Sequence, residues 1–564
     1  MFGDYFNFLS VFSSVSVLIA LFILIPLGLF LCKYSMKFIA ISLVGLILTT
    51  VYISQLIIVD VNLLKSSGHY VVGLIMGDAV PVCFFIAAAL GIIRWGLQIW
   101  LNRARSFRRS SSPALQPDKP GYRERLRQIL RWFTTLEGKC ICVIEASVLA
   151  VHLIFIGRPA SAVILDEVYY VHDALNLLHG LSMNYPEHPP LGKWLIASGI
   201  FVFGDNSVGW RIISVIFSLA GIFIFYLICK KLTAKWFGAG VFVPLLAVFL
   251  LATENLSFVI GHVAMLDVFY VTFMLLGFLF YLHNKYTACG IAMGLSLLCK
   301  ESAILGIMVV VLHWIITCRH EIAGEMRNTF NALQGKEITG QLTSNFLNLF
   351  KMLVIIAAVW LILIVPLEYP SMHLYPVSTL WYNPLFRAIY MLWHPLSQTF
   401  TNFTSITAGN PGSWLVPTPP WQWLLWPGVT IVYGTGVRYL GSIGWAVWPL
   451  IIPSIVYLVY ESIRNRFREY NIAFFLLCWL VGVYGLLVVL TLFTDRLSYE
   501  YYFYPAVPAV CLCIAWGFWR WWETARNRTA TKVVFISGLT LYILASLAVF
   551  VIMSPFGTNL VRLP

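Results

Sequence analysis

The stretch ILDEVYYVHDALNLLHG, Ile164 to Gly180, follows an apolar run and carries Asp166, Glu167 and Asp173 within eight positions. Acids are scarce here, with 24 Asp and Glu among 564 residues. Three of them at the edge of an apolar segment call for a reason. Asp166, Tyr169 or Tyr170, and Asp173 recur at i, i+3/i+4 and i+7, the spacing that sets side chains on one face of a helix. The plainest reading makes Asp166 the N-cap of a short surface helix, with Glu167 favouring its dipole. Whether that is all depends on where the stretch lies.

Its setting is a membrane. The chain is 60% hydrophobic and 11% charged, with a mean hydropathy of +0.83. Soluble domains run near a quarter charged. Apolar runs long enough to cross roughly 30 Å of hydrocarbon recur from end to end. Fourteen spans are expected, near 9–32, 38–58, 71–100, 140–157, 207–229, 236–253, 264–282, 287–299, 303–317, 351–367, 441–460, 472–493, 503–519 and 533–553. The first run has no basic leader and no small-residue cleavage site, so it reads as a retained span. The short pair 287–299 and 303–317, interrupted by Lys300-Glu301, has the look of a broken element of the kind that lines sites. The eleven cysteines include the pairs Cys140/Cys142 and Cys511/Cys513 inside apolar runs. None has metal-site spacing, so they read as packing residues.

Charge fixes the orientation. If the basic stretch 102–139 faces the cytoplasm, every alternate connection does too. Those connections hold most of the 37 Lys and Arg residues, among them Lys230, Lys231, Lys285, Arg319, Arg464 and Arg526, as the positive-inside rule predicts. The net charge of +13 therefore reports topology, not a nucleic-acid partner. The Ser/Pro-rich segment SFRRSSSPALQPDKPGYRERLRQ marks a linker at 102–139, between a three-span unit (1–101) and a membrane core (140–564).

This parity gathers the remaining polar residues on the opposite, outer face. The turn YPEHPPLGKW places Glu187, His188 and Lys193 within seven residues. Arg211 opens the next span, and Asp267 lies just inside an apolar run with His262 five residues earlier. An ionisable residue at that depth is a functional candidate. Asp495, Arg496 and Glu500 precede a tyrosine cluster whose composition also fits an ordinary aromatic belt.

In this order LDEVYYV, EHPPLGKW, VGWRIIS, AMLDVF, GLSLLCKESA and RLSYEYYFYPAVP resemble the polyprenyl-phosphate-mannose-dependent protein O-mannosyltransferases, GT-C glycosyltransferases related to the lipid A aminoarabinose transferases. The resemblance covers about 140–553 and matches a prokaryotic member, because the 368–427 loop holds no large luminal domain. The three N-terminal spans are extra, and His262 stands where such enzymes often carry Arg. The resemblance implies an all-α polytopic GT-C fold with short amphipathic helices in the first outer loop. It also implies an active site formed by outer loops 158–206 and 368–440, on the extracytoplasmic face of the plasma membrane. The implied reaction moves a sugar, mannose above all, from a polyprenyl-phosphate carrier to a protein Ser/Thr hydroxyl, with inversion.

The residues fit such a reaction on their own terms. It needs a base for the acceptor proton and positive charge for the departing lipid phosphate. Asp166 is the expected base, with Glu167 beside it. Lys193 and Arg211 are the expected phosphate ligands, and Arg496 the third. His188 and Asp267 are expected to orient substrate or hold a divalent ion (Mg, Mn or Ca); Tyr170, Glu187, His262, Lys300 and Glu301 form a second rank. A lipid or glycan acceptor is the alternative within the same chemistry. A transporter would instead place ionisable residues at mid-bilayer in several spans, whereas here they cluster at one end. A non-catalytic membrane scaffold would be indifferent to Asp166.

Overall fold

The computed structural model describes residues 130–158, 163–236, 238–319, 344–372, 417–425, 431–434, 437–465 and 472–555, with a few single positions, among them Arg387, Tyr390, His394 and 398–400. The chain divides into two compact units, Met1–Pro117 and Asp118–Pro564, and every described residue lies in the second. The three spans expected in 1–101, and nearly all of the basic linker, fall outside the described residues.

The described unit is helical: α1 Leu136–Phe155, α2 Glu167–Leu178, α3 Leu191–Phe203, α4 Ser207–Thr233, α5 Ala239–Ala252, α6 Asn255–His262, α7 Leu266–Leu282, α8 Tyr286–Cys299, α9 Ala303–Thr317, α10 Ser344–Met372, α11 Ile451–Arg464, α12 Ile472–Thr494, α13 Val507–Ala525 and α14 Thr529–Met553. Six of these segments are long and apolar enough to cross a membrane, counting α13 together with the 3-10 turn Glu500–Ala506 before it. A seventh is α5 joined to α6 across a 62° bend. Helices α3, α7, α8 and α9 are apolar but shorter. Strand structure among the described residues is confined to a hairpin, Ile431–Gly434 against Val437–Leu440, and a single bridge between Thr399 and Arg496.

Local chemistry explains the boundaries. Thr135 and Asn206 cap α1 and α4 by accepting from backbone N–H groups of the first turn. The linker was expected to run to residue 139, but this cap starts the helix at Leu136. The bend after α5 was not expected. There the Glu254 side chain accepts from Ser257 N at 2.6 Å and starts α6 in a new direction. The span expected at 441–460 begins only at Ile451. The N–H groups of Ile443 and Gly444 are taken by the Glu500 and Glu254 carboxylates (3.0 and 2.6 Å), and so are lost to a helix. A π-turn at Val481–Gly485 interrupts α12, where a Cβ on Gly482 would lie 2.5 Å from Val309.

Helices α12 and α13 are mostly enclosed, while α14, α10 and α1 line the rim with large apolar side chains facing outward. Helix α8 lies between α7 and α10. Its contact with α10 depends on Gly290 and Gly294, where a Cβ would stand 2.9 and 2.8 Å from Ile355 and Val359. This small-xxx-small spacing lets membrane helices approach closely. The packing carries the N-terminus of α2, the start of α7, the Lys300–Ser302 turn between α8 and α9, and the Glu500–Ala506 turn to one end of the bundle.

Candidate active site

Helix α2 starts from a constrained turn. Glu167 N donates to Ile164 O (3.1 Å) and Ile164 N donates back to Glu167 Oε2 (2.9 Å). Between them Leu165 sits at φ 53°, a left-handed conformation rare for a branched side chain. Asp166 follows as N-cap, but its side chain makes no capping bond. Its Oδ2 accepts instead from the Tyr501 hydroxyl at 2.9 Å, 335 positions along the chain. The capping role expected for it is therefore absent. Burial raises the Asp166 carboxyl above the usual carboxylate range, against the pull of Lys300 and the Tyr501 hydrogen bond.

Glu167 does something different from its neighbour. It is fully buried and forms a two-pronged pair with Arg211 (Nε–Oε1 and Nη2–Oε2, both 2.8 Å), while Ala264 N also donates to Oε1. Arg211 spends its Nη1 on the carbonyls of Ile156 and Arg158 (3.2 and 2.8 Å). Lys193 is equally enclosed: it pairs with Asp173 Oδ2 at 2.8 Å and donates to the Tyr185 carbonyl. Asp173 Oδ1 accepts from Asn184 N and Tyr185 N, tying α2 to the turn before α3. Both cations expected at a phosphate are thus struts inside the fold.

The charges facing Asp166 come from the other elements. Asp267, in the first turn of α7, binds Lys300 Nζ with both oxygens (3.0 and 2.8 Å). The Lys300 ammonium lies 5.5 and 5.3 Å from the ring centres of Tyr501 and Tyr502. Burial alone would lower that ammonium, but Asp267 and the groups behind it raise it. Glu301 Oε2 meets His188 Nδ1 at 2.8 Å. Burial would raise this acid, yet His188, Lys300 and Arg496 draw it down to about 2. Arg496 also lies over the Tyr502 ring, 5.8 Å from its centre. It is 9% exposed and enters no ion pair among the described residues, in contrast to Lys193, Arg211, Lys300 and Arg387.

Among the sequence candidates the structure therefore brings Asp166, His188, Asp267, Lys300, Glu301 and Arg496 together. Tyr170 is buried with its ring 5.8 Å from that of His188, and Glu187 is half-buried one residue before His188. His262 stands apart: it contacts His152 Nδ1–Nδ1 at 3.1 Å and stacks near Phe258 in the helix packing. Tyr501 and Tyr502 were passed over as part of an aromatic belt, and only their density in YEYYFYP hinted otherwise. Asp267 is neutralised by Lys300 and Glu301 faces His188, and no group of three metal-ligating side chains occurs among the described residues.

Residues 187–329 match the family described as dolichyl-phosphate-mannose-protein mannosyltransferase. Over 144 residues the chain is 33% identical to a polyprenol-phosphate-mannose–protein mannosyltransferase of Mycolicibacterium smegmatis, covering 24% of this chain and 27% of that one. A counterpart from Corynebacterium glutamicum is 31% identical over 123 residues, 20% of this chain and 23% of its own. The matched stretch thus spans about a quarter of the length of these relatives. The Saccharomyces cerevisiae protein O-mannosyltransferase Pmt1–Pmt2 complex bound to the sugar donor shares the fold. It has a TM-score of 0.54 at 12% identity, covering 79% of this chain and 94% of that chain.

Proposed function

We propose, taking this chain as a member of the dolichyl-phosphate-mannose-protein mannosyltransferase family with the GT-C fold, that it moves mannose from a polyprenyl-phosphate carrier to a protein hydroxyl at the outer membrane surface. One observation carries the reading. Where the helix ends meet, Asp267 is paired with Lys300 and Glu301 with His188, and beside them stand an acid with an open oxygen, Asp166, and a guanidinium in no ion pair among the described residues, Arg496. The reaction asks for one base and one anchor for a phosphate.

Asp166 takes the proton of the acceptor hydroxyl as its oxygen attacks the anomeric carbon. The bond from that carbon to the phosphate oxygen breaks in the same displacement, which inverts the sugar. The lipid phosphate leaves with the bond's electron pair, and Arg496 holds it through bidentate hydrogen bonds. Lys300, held by Asp267, adds positive charge over the Tyr502 ring. Arg496, the third candidate of the sequence reading, thus takes the part given first to Lys193 and Arg211. Asp166 later releases its proton to water. No second carboxylate nucleophile is needed, unlike in retaining glycosidases.

The test uses the full chain in lipid nanodiscs with labelled polyprenyl-phosphate mannose and a Ser/Thr-rich peptide. Asp166→Asn is expected to lower transfer by about 10²- to 10⁴-fold while leaving the unfolding midpoint in place. Equal transfer by both proteins would remove Asp166 as the base. Label appearing only in lipid or glycan would assign the other acceptor class.

A further inference from the structure

We propose that Tyr501 is a positioning residue that divides the two oxygens of Asp166, fixing Oδ2 so that Oδ1 is the atom that receives the acceptor proton. The proposal rests on the reading of Asp166 as the base and names which atom does the work.

A carboxylate turns easily about its last torsion, whose wells are broad. An Asp at a helix start normally settles by capping its own backbone N–H groups. Here that local solution is unused, and the remote Tyr501 hydroxyl donates to Oδ2 at 2.9 Å. Oδ1 receives no hydrogen bond among the described residues, and the residue is only half-buried. One oxygen is engaged and the other is open.

Both ends of this contact are held. On the Asp166 side, the Ile164–Glu167 clamp and the left-handed Leu165 set the backbone. On the other side the Tyr501 ring is 6% exposed. It stacks on Tyr499 at 5.7 Å and meets Tyr502 edge-on at 4.8 Å, with Lys300 above it. The turn carrying it starts at Glu500, which accepts from Ser442 Oγ and Ile443 N. A tyrosine needing only to bury its ring would not require this geometry. A hydrogen-bond donor meant to hold one oxygen of a base would.

The consequence is a pH signature. The groups facing Asp166 are Lys300, Asp267, His188 and Tyr501, together with the hydroxyls of Tyr169, Tyr170 and Tyr499. Burial raises the Asp166 carboxyl, and Lys300 and the Tyr501 hydrogen bond draw it back down. Removing that hydroxyl must therefore raise it further. Activity needs the carboxylate, so the acid limb of the rate profile moves to higher pH.

Tyr501→Phe keeps the ring, its stack on Tyr499 and its face to Lys300. In the nanodisc transfer assay it should lower kcat by on the order of 10- to 100-fold on the acid side, the scale of a lost hydrogen bond to a charged group. The loss should be smaller at high pH, and the donor KM unchanged. A uniform drop in kcat with the acid limb where it was would overturn the proposal. A readout independent of turnover is an infrared pH titration of the carboxyl band that Asp166→Asn abolishes. Its midpoint should rise in Tyr501→Phe, and a midpoint equal to that of the wild type would also overturn the proposal. A raised midpoint in a protein that transfers no mannose would uphold the Tyr501–Asp166 coupling and sink the proposed reaction instead.

Discussion

Replacing Arg211 with Met should unfold the protein long before it starves the site of a phosphate ligand. Arg211 and Glu167 are both fully buried and joined by two 2.8 Å contacts. Removing one member of such a pair strands the other charge at a cost of about 3–5 kcal/mol. The Ile156 and Arg158 carbonyls also lose their shared donor, though at the edge of the fold water can replace part of that. The stranded Glu167 still accepts from Ile164 N and Ala264 N, so the damage falls where α2, α4 and the α6–α7 junction meet. Replacing both residues with apolar ones should not restore stability in full, because these backbone groups would remain unpaired. The assay is graded denaturation in lipid-detergent mixtures, followed by tryptophan emission and paired with donor KM on the folded fraction. Arg211→Met should lose a large part of its unfolding free energy, with donor KM near that of the wild type in whatever folds. A variant as stable as the wild type with donor KM raised tenfold or more would refute this and return Arg211 to the phosphate.

Arg496→Gln should behave in the opposite way. It gives up no ion pair among the described residues, so its unfolding midpoint should hold, while donor KM rises by roughly 10- to 100-fold, the scale of a charged hydrogen bond. Glu301 supplies a stability prediction with a defined sign. Its folded carboxyl lies at about 2 against an ordinary 4.5, so its contribution is fully present above about 4.5 and is lost as pH falls toward 2. Unfolding midpoints of the wild type and Glu301→Gln should therefore converge over that window, and a gap that widens on acidification would contradict the His188–Glu301 pairing.

Much of this architecture was legible because the membrane makes it so. An apolar run must become a helix there, and the runs predicted from 140 onward meet helices in register, from Ser207 and Ala303 to Ile472. Two failures have the same physical origin. Residues 441–450 are as apolar as their neighbours, but the N–H groups of Ile443 and Gly444 answer to Glu500 and Glu254. The bend at Thr253–Glu254 depends on Glu254 too, whose other oxygen reaches Gly444 at a separation of 190 residues. Pairing escaped in the same way. That cations gather at one end of the bundle is written in loop charge, but which acid each one meets is not. Lys193 finds Asp173 twenty residues back, and Arg211 finds Glu167 at a separation of 44.

This pairing is what separates scaffold from site. Burying an ion costs several kcal/mol unless a partner is present, so a helical end crowded with charge is stable only if most of it cancels. Glu167–Arg211, Asp173–Lys193 and Asp267–Lys300 cancel inside the fold, and none is then free to bind a ligand tightly. Whatever stays uncancelled is destabilising by itself and is kept in place by its surroundings. Asp166 is held by a strained turn and a tyrosine, Arg496 by an aromatic face and by the 398–400 segment that bridges to its backbone. A donor carrying a phosphate and an acceptor carrying a hydroxyl would relieve both residues at once. The site's affinity and its chemistry would then come from the same two unpaired charges.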